Sequence, residues 1–201
     1  SVTADERFLV IYEENMGDKG HSLHVLDHNN KNKNFTTIVD DFEQNYSVIG
    51  NIDDDLLIKN NDNAPKYRLT KVNFKQPEKQ YWNDIIPQSE HVMKSVQLIA
   101  DKIVVNYMKD AHSQVEIFNY EGKKDTEINL PAIGSVSSIS GKKNDSVGFY
   151  TFNSFSYPSV IYKYNFYTNE SSEYYRSKID FDPENYITKQ VFYKSKDGTK
   201  I

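Results

Sequence analysis

The sequence predicts an all-β fold, a partial β-propeller of about four consecutive blades, each a four-stranded antiparallel sheet. Three observations predict it. First, four similar segments end at a fixed interval: LHVLD at Asp27, LTKVN at Asn73, VEIFN at Asn119 and IYKYN at Asn165, each 46 residues after the last. Second, β-type runs recur in the same order around each marker. Third, aromatics make up 13% of the chain, and no stretch sustains the i, i+3, i+4, i+7 apolar spacing of an amphipathic helix.

Upstream of the markers lie RFLVIY (7–12), LLIK (56–59), IVVNYM (103–108) and VGFYTF (147–152). Downstream lie FTTIV (35–39), WNDII (82–86), TEINL (126–130) and SSEYY (171–175). Between repeats sit YSVIG (46–50), SVQLIA (95–100) and SVSSIS (135–140). The runs have ordinary strand length, and Asp or Asn closes each marker because these residues initiate turns. The six prolines fall between runs or at their ends, where no ladder hydrogen bond is lost.

With strands lettered A (innermost) to D, the chain carries strands B–D of a first blade, then three whole blades. The boundaries expected are 1–42, 43–88, 89–131 and 132–178, inside a propeller unit of 1–180. Residues 181–201 form a separate unit: NYITKQVFYKSKDGTKI reads as a strand, an Asp197-Gly198 hairpin turn and the start of a second strand. A chain ending one residue into a strand is expected to be a piece of a longer protein. A β-sandwich is the competing architecture, but it has no reason to keep a fixed period.

Net charge is −5 with both signs interspersed, so no basic stripe is present to neutralise phosphates, and nucleic acid is not an expected partner. No apolar run approaches the roughly 20 residues of a membrane-spanning helix, so no membrane is expected either. The opening SVTADERFLV lacks the pattern of a secretory leader. Cysteine is absent, which removes disulfides and thiolate metal sites without choosing between cytoplasm and periplasm.

No cofactor or metal is expected. The five histidines show no ligand spacing, and Asp53-Asp54-Asp55 lacks the alternation and glycine of a calcium loop, so it reads as a turn between strands A and B. Adjacent carboxylates such as Asp40-Asp41 or Glu13-Glu14 would point to opposite faces of a strand, unlike a glycosidase pair. Trp82 and the tyrosines read as packing between stacked sheets rather than as a sugar platform.

The closing segment, IDFDPENYITKQVFYKSKDGTKI, resembles the stretch that leads prolyl oligopeptidases from their propeller into an α/β-hydrolase domain. SGKKNDSVGFYTFNSFSYPSVIYKYN is similar to that family's last blade, and NDNAPKYRLTKVNF, YWNDIIPQ and VNYMKDAHSQVEIFNYEGK resemble further family segments in the family's order. The resemblance implies a seven-bladed propeller in a parent serine peptidase that cleaves short peptides after proline. It also implies that the catalytic residues lie in a hydrolase domain beyond Ile201. Consistently, no G-x-S-x-G nucleophile elbow occurs in the chain, so its serines and histidines are read as non-catalytic and the fragment alone as inactive.

By the same resemblance, the end carrying the B–C loops (13–21, 60–66, 109–113 and 153–159) faces the hydrolase domain and gates access for short proline-containing peptides. Loop 13–21, EENMGDKGH, aligns with a family loop that reaches the substrate cavity. It has Glu14 and Gly17 in place of the arginine and cysteine of some animal members. The candidate substrate-path or domain-facing residues are therefore Glu14, Met16, Gly17, Asn153, Phe155 and Tyr157. The competing functional reading is part of a non-enzymatic propeller that binds a protein or glycan. A part-propeller is also expected to self-associate through uncovered sheet faces.

Overall fold

The computed structural model describes residues 1–156, 158–178 and 185–201. Tyr157 and residues 179–184, which include Pro183, lie outside the described residues.

Among the described residues, fifteen strands form four antiparallel sheets, each a meander in which sequence neighbours pair. The first has three strands: β1 (Phe8–Glu13), β2 (Ser22–Asp27) and β3 (Thr36–Val39). The second holds β4 (Tyr46–Ile52), β5 (Asp55–Asn60), β6 (Arg68–Asn73) and β7 (Asn83–Ile86). The third holds β8 (Val92–Ile99), β9 (Lys102–Lys109), β10 (His112–Phe118) and β11 (Lys124–Ile128). The fourth holds β12 (Ser135–Gly141), β13 (Val147–Asn153), β14 (Val160–Asn165) and β15 (Glu170–Arg176). The four sheets are successive propeller blades, the first with strands B–D and the others complete. Residues 1–3 occupy the missing inner-strand position beside β1: Val2 bridges Leu9, and Ser1 and Val10 exchange backbone hydrogen bonds of 2.9 and 2.8 Å.

The four markers sit at or just past the ends of the C strands β2, β6, β10 and β14, and each does the same work. Their side-chain oxygens accept a hydrogen bond from the backbone N–H two residues on: Asn29 on Asp27 (2.9 Å), Lys75 on Asn73 (3.0 Å), Glu121 on Asn119 (3.1 Å) and Tyr167 on Asn165 (2.9 Å). This side-chain turn releases the chain from one strand and aims it at the next, which explains why Asp or Asn recurs there.

The core is divided into three layers, one between each pair of neighbouring sheets. In β5, Leu56 and Ile58 enter the layer against the first sheet, while Leu57 enters the layer against the third. In β9, Ile103, Val105 and Tyr107 face the second sheet and Val104 faces the fourth. A sandwich would have one shared core between two sheets, so these stacked layers identify the propeller.

Trp82 packs into the first layer, edge-on to Tyr46 at 6.0 Å, and its indole N–H donates to the Pro77 carbonyl at 2.7 Å. Asp53 and Asp54 form the turn joining β4 to β5, but the acidic group is not simply solvated. Arg7 pairs with Asp27 at 2.9 Å and with Asp54, which also binds Lys75, while Asp55 accepts from Asn73 at 2.7 Å. Arg7 also donates to the Asp53 carbonyl at 2.8 Å, tying the first two blades together at the end opposite the B–C loops. Hydrogen bonding to Asp27 and Asp54 raises the Arg7 pKa above its ordinary value despite desolvation. The Arg7 hydrogen bond in turn holds the Asp27 carboxyl below its own. A 3-10 turn, Lys79–Tyr81, is not expected from sequence; it lies in the connection between β6 and β7.

Candidate functional site

In each meander the B–C and D–A connections emerge at one end and the other connections at the opposite end. The B–C end is stitched together by backbone contacts: Gly20 N–H donates to Phe42 O at 2.9 Å, His21 N–H to Gln44 O at 3.1 Å, and Ser113 N–H to Gly134 O at 2.9 Å. A Cβ at Gly20 would stand 2.0 Å from the Gln44 carbonyl oxygen, so only glycine lets the loop after β1 lie this close to the loop before β4.

Beyond that pinned base, loop 14–20 projects into solvent. Glu14 is exposed, Met16 is fully exposed at 106%, and Gly17 takes a φ of 99°, in the region that favours glycine. Beneath the loop, the His21 ring stands edge-on between Tyr12 (5.0 Å) and Tyr46 (6.3 Å). Burial pushes the Tyr46 phenol up to about 12, against the opposing effect of Lys79. Lys79 Nζ donates to Tyr46 Oη at 3.1 Å, Asp62 at 2.9 Å and Asp41 at 3.2 Å. Although desolvation disfavours its charge, these bonds raise the Lys79 pKa, so a fixed ammonium clamps three segments together.

Asn153 and Phe155 lie at the same end of the fourth sheet. Asn153 is half-buried at the end of β13, and Phe155 is fully exposed at 104%. Both line a cleft of about 390 Å³ whose walls also include Ala111, His112, Ile133 and Gln190. Ser156 Oγ and Thr188 Oγ1 are 2.7 Å apart, and the Gln190 amide donates to the Asp110 carbonyl, so segment 188–190 closes one side of the cleft. Glu14, Met16 and Gly17 do not line it; they belong to the first sheet, three blades away. Ala111 lies in the expected B–C loop 109–113, whereas Ile133 and Gln190 come from separate segments that no sequence signal marked.

One arrangement invites a catalytic reading. Ser22 Oγ lies 2.9 Å from His24 Nε2, and Glu13 Oε2 lies 3.7 Å from that same nitrogen. A nucleophilic triad places serine and acid on opposite ring nitrogens, whereas here Nδ1 is taken by Thr37 Oγ1 at 3.0 Å. Ser22 is also only 2% exposed, so no substrate carbonyl can reach it. The group is a strand-surface hydrogen-bond network.

Residues 1–177 match the family model described as the prolyl oligopeptidase N-terminal beta-propeller domain. The chain belongs to that propeller family. It is 34% identical over 200 residues to the prolyl endopeptidase of Elizabethkingia miricola and 35% identical to that of Elizabethkingia meningoseptica. Each match covers 100% of this chain and 28% of the relative. Among solved structures, one from a study of two prolyl endopeptidases superimposes with a TM-score of 0.87 at 28% identity, covering 99% of this chain and 29% of the other. Apo prolyl oligopeptidase B from Galerina marginata gives a TM-score of 0.89 at 24% identity, covering 99% and 29%, a likeness in fold. The chain thus spans 28% of the length of these curated prolyl endopeptidases, within the propeller of the prolyl oligopeptidase family.

Proposed function

We propose that this chain is part of the substrate-gating propeller of a serine peptidase that cleaves short peptides after proline, with catalysis carried by an α/β-hydrolase domain of the same parent. The observation that carries the reading is that two large apolar side chains, Met16 on the first blade and Phe155 on the fourth, are fully exposed on B–C loops of the same end. Loops on a rigid scaffold are where recognition concentrates. Membership of the propeller family supports the identity of the opposing body.

In this reading loop 14–21, with Glu14, Met16 and Gly17, borders the substrate path. Asn153 and Phe155 face the hydrolase domain. The propeller contributes by excluding large substrates and bulk water from the site. The chain by itself hydrolyses nothing, since no arrangement among its described residues joins an accessible nucleophile to a base. Incubation with a chromogenic proline-containing peptide checks this: turnover that survives rigorous purification and is abolished by a serine-directed inhibitor overturns it. In the full-length parent, shortening loop 14–19 is expected to change kcat/KM or the accepted peptide length, while Phe155→Ala weakens docking of the two domains. A loop deletion that lowers only the melting temperature, with peptide selection intact, would make the loop structural.

A further inference from the structure

Three lysines meet at the B–C end where the second blade abuts the third. Lys59, next to the last residue of β5, turns toward the third sheet. Its ammonium donates to the Lys94 carbonyl at 2.8 Å and stands 4.3 Å from the centre of the Tyr67 ring. Lys94 lies at a bulge in the inner strand β8, where the register passes from Met93 opposite Tyr107 to Ser95 opposite Asn106. It therefore has no partner in the ladder, and the bulge re-aims its exposed side chain. Lys66, exposed in the loop after β5, donates to the Glu90 carbonyl, and its own carbonyl accepts from Met93 N–H at 2.9 Å. Lys71, Lys75, Lys79, Lys102 and Lys124 each lie against a carboxylate. Among the described residues, Lys59 and Lys66 have backbone carbonyls instead, and the Glu90 carboxylate turns to His91 Nε2 at 3.5 Å.

A half-buried ammonium held by one carbonyl and a ring loses hydration without gaining a counter-charge. Desolvation lowers the Lys59 pKa, and the neighbouring Lys94 charge lowers it further. Holding the bulge carbonyl does not require this charge, since a neutral amide donor satisfies a carbonyl as well. An arriving anion offsets the cost, and two exposed lysines beside Lys59 add their own donors to it. The first blade's share of the same end has the opposite sign, with Glu13, Glu14, Asp18, Asp40 and Glu43 against Lys19. We propose that Lys59, Lys66 and Lys94 form a recognition site for a peptide carboxylate, held where the second and third blades meet. The peptide as ligand rests on the peptidase reading above; the site rests on the geometry of the three lysines. A short peptide is a zwitterion, so its ammonium is drawn to the acidic first blade while its carboxylate seats on the lysines. The two patches thus orient it across the end of the propeller.

Three octapeptides test it: a proline-containing peptide with a free terminal carboxylate, the same peptide amidated, and an amidated form carrying glutamate beyond the proline. In the full-length parent at low salt, a carboxylate peptide should exceed the plain amide about tenfold in kcat/KM, through KM rather than kcat. A preference for the free acid assigns the carboxylate to the peptide terminus; one confined to the glutamate peptide assigns it to a side chain. Lys66→Gln with Lys94→Gln, both at exposed positions, should bring the preference within about twofold. Lys59→Gln should weaken it in the same direction, with a urea midpoint reporting whether the fold holds. Equal treatment of all three peptides by the parent overturns the proposal, and so does a preference that survives the double substitution. Isothermal titration of the 201-residue chain reads the site without turnover. There a carboxylate peptide should bind at least about fivefold tighter than the plain amide, and Lys66→Glu with Lys94→Glu should reverse the order. A parent that leaves proline peptides intact sinks the peptidase reading, and the titration still judges the site: equal binding of all three peptides overturns it.

Discussion

Strands β9 and β1 have similar compositions and opposite surroundings. In β9, Ile103, Val104 and Val105 are all fully buried, because the third blade has a neighbour on each face. In β1, Phe8 and Val10 are buried, whereas Leu9 is half-buried and Ile11 is 43% exposed. The outer face of the first sheet is mixed, with Glu13, His24 and Thr37 beside Leu9 and Ile11. The fourth sheet is similar on its far side, where Ser138 and Thr151 hydrogen-bond at 3.0 Å near the half-buried Phe149. An apolar residue in this fold therefore contributes according to its blade's neighbours and its strand parity, not its type.

The sharpest way to break that comparison is to make the same substitution in both strands. Ile103→Ala, at a fully buried position, should cost about 2–5 kcal/mol, whereas Ile11→Ala should stay within about 0.5 kcal/mol. Urea denaturation of the two variants measures both, and equal costs would mean that the first and third blades are equally enclosed.

The next largest effect is expected at the interblade ion pair. Arg7 holds the buried Asp27 carboxyl below its ordinary 3.8, so the native state binds that proton less readily than the unfolded chain. The stabilisation is present above 3.8 and is lost as pH falls through the lower folded-state value. Asp27→Asn should cost about 1.5–3 kcal/mol at neutral pH. Its stability should converge on that of the parent sequence as the pH falls below 3.8. Urea titrations across the acid range check the sign; a constant gap between the two would show that Asp27 acts through shape rather than charge.

A smaller loss belongs to the repeated turn. Asn119→Ala removes the acceptor for Glu121 N–H at 3.1 Å and Lys123 N–H at 2.8 Å, and should cost about 1 kcal/mol. The smallest is at the B–C end, where Met16→Ser and Phe155→Ser should each change stability by less than about 0.5 kcal/mol, since both side chains are already in water. A thermal melt that drops with either variant would place that side chain in the fold rather than at a recognition surface.

Much of this was legible in the sequence. The markers Asp27, Asn73, Asn119 and Asn165 announced both the period and the turns, because a side-chain oxygen capturing an N–H two residues on is a local event. The backbone conformation of two hairpin turns escaped, though not their positions, for the opposite reason. Ala100-Asp101 and Asp110-Ala111 have φ between 44° and 63°, values that two-residue hairpins demand and that usually draw Asn or Gly. Alanine gives no warning of such a conformation; the strand pairing on either side imposes it. Phe155, Met16 and Ala111 lie in loops nominated from sequence, but the cleft beside Phe155 could not be foreseen, since Ile133 and Gln190 reach it from connections that carry no mark of it.

The sequence by itself determined the number of blades, the order of their strands and the positions of their turns, because alternation and turn chemistry act over a few residues. Tertiary structure alone decided which face of each strand is enclosed, how Lys79 gathers Asp41, Tyr46 and Asp62, and where segment 188–190 comes to rest. The bond from Gln190 to Asp110 spans 80 residues, and it forms only because the third and fourth blades have already stacked and brought their loops to the same end. Neither residue carries a local preference for the other, so a contact of this kind exists only once the blades have packed.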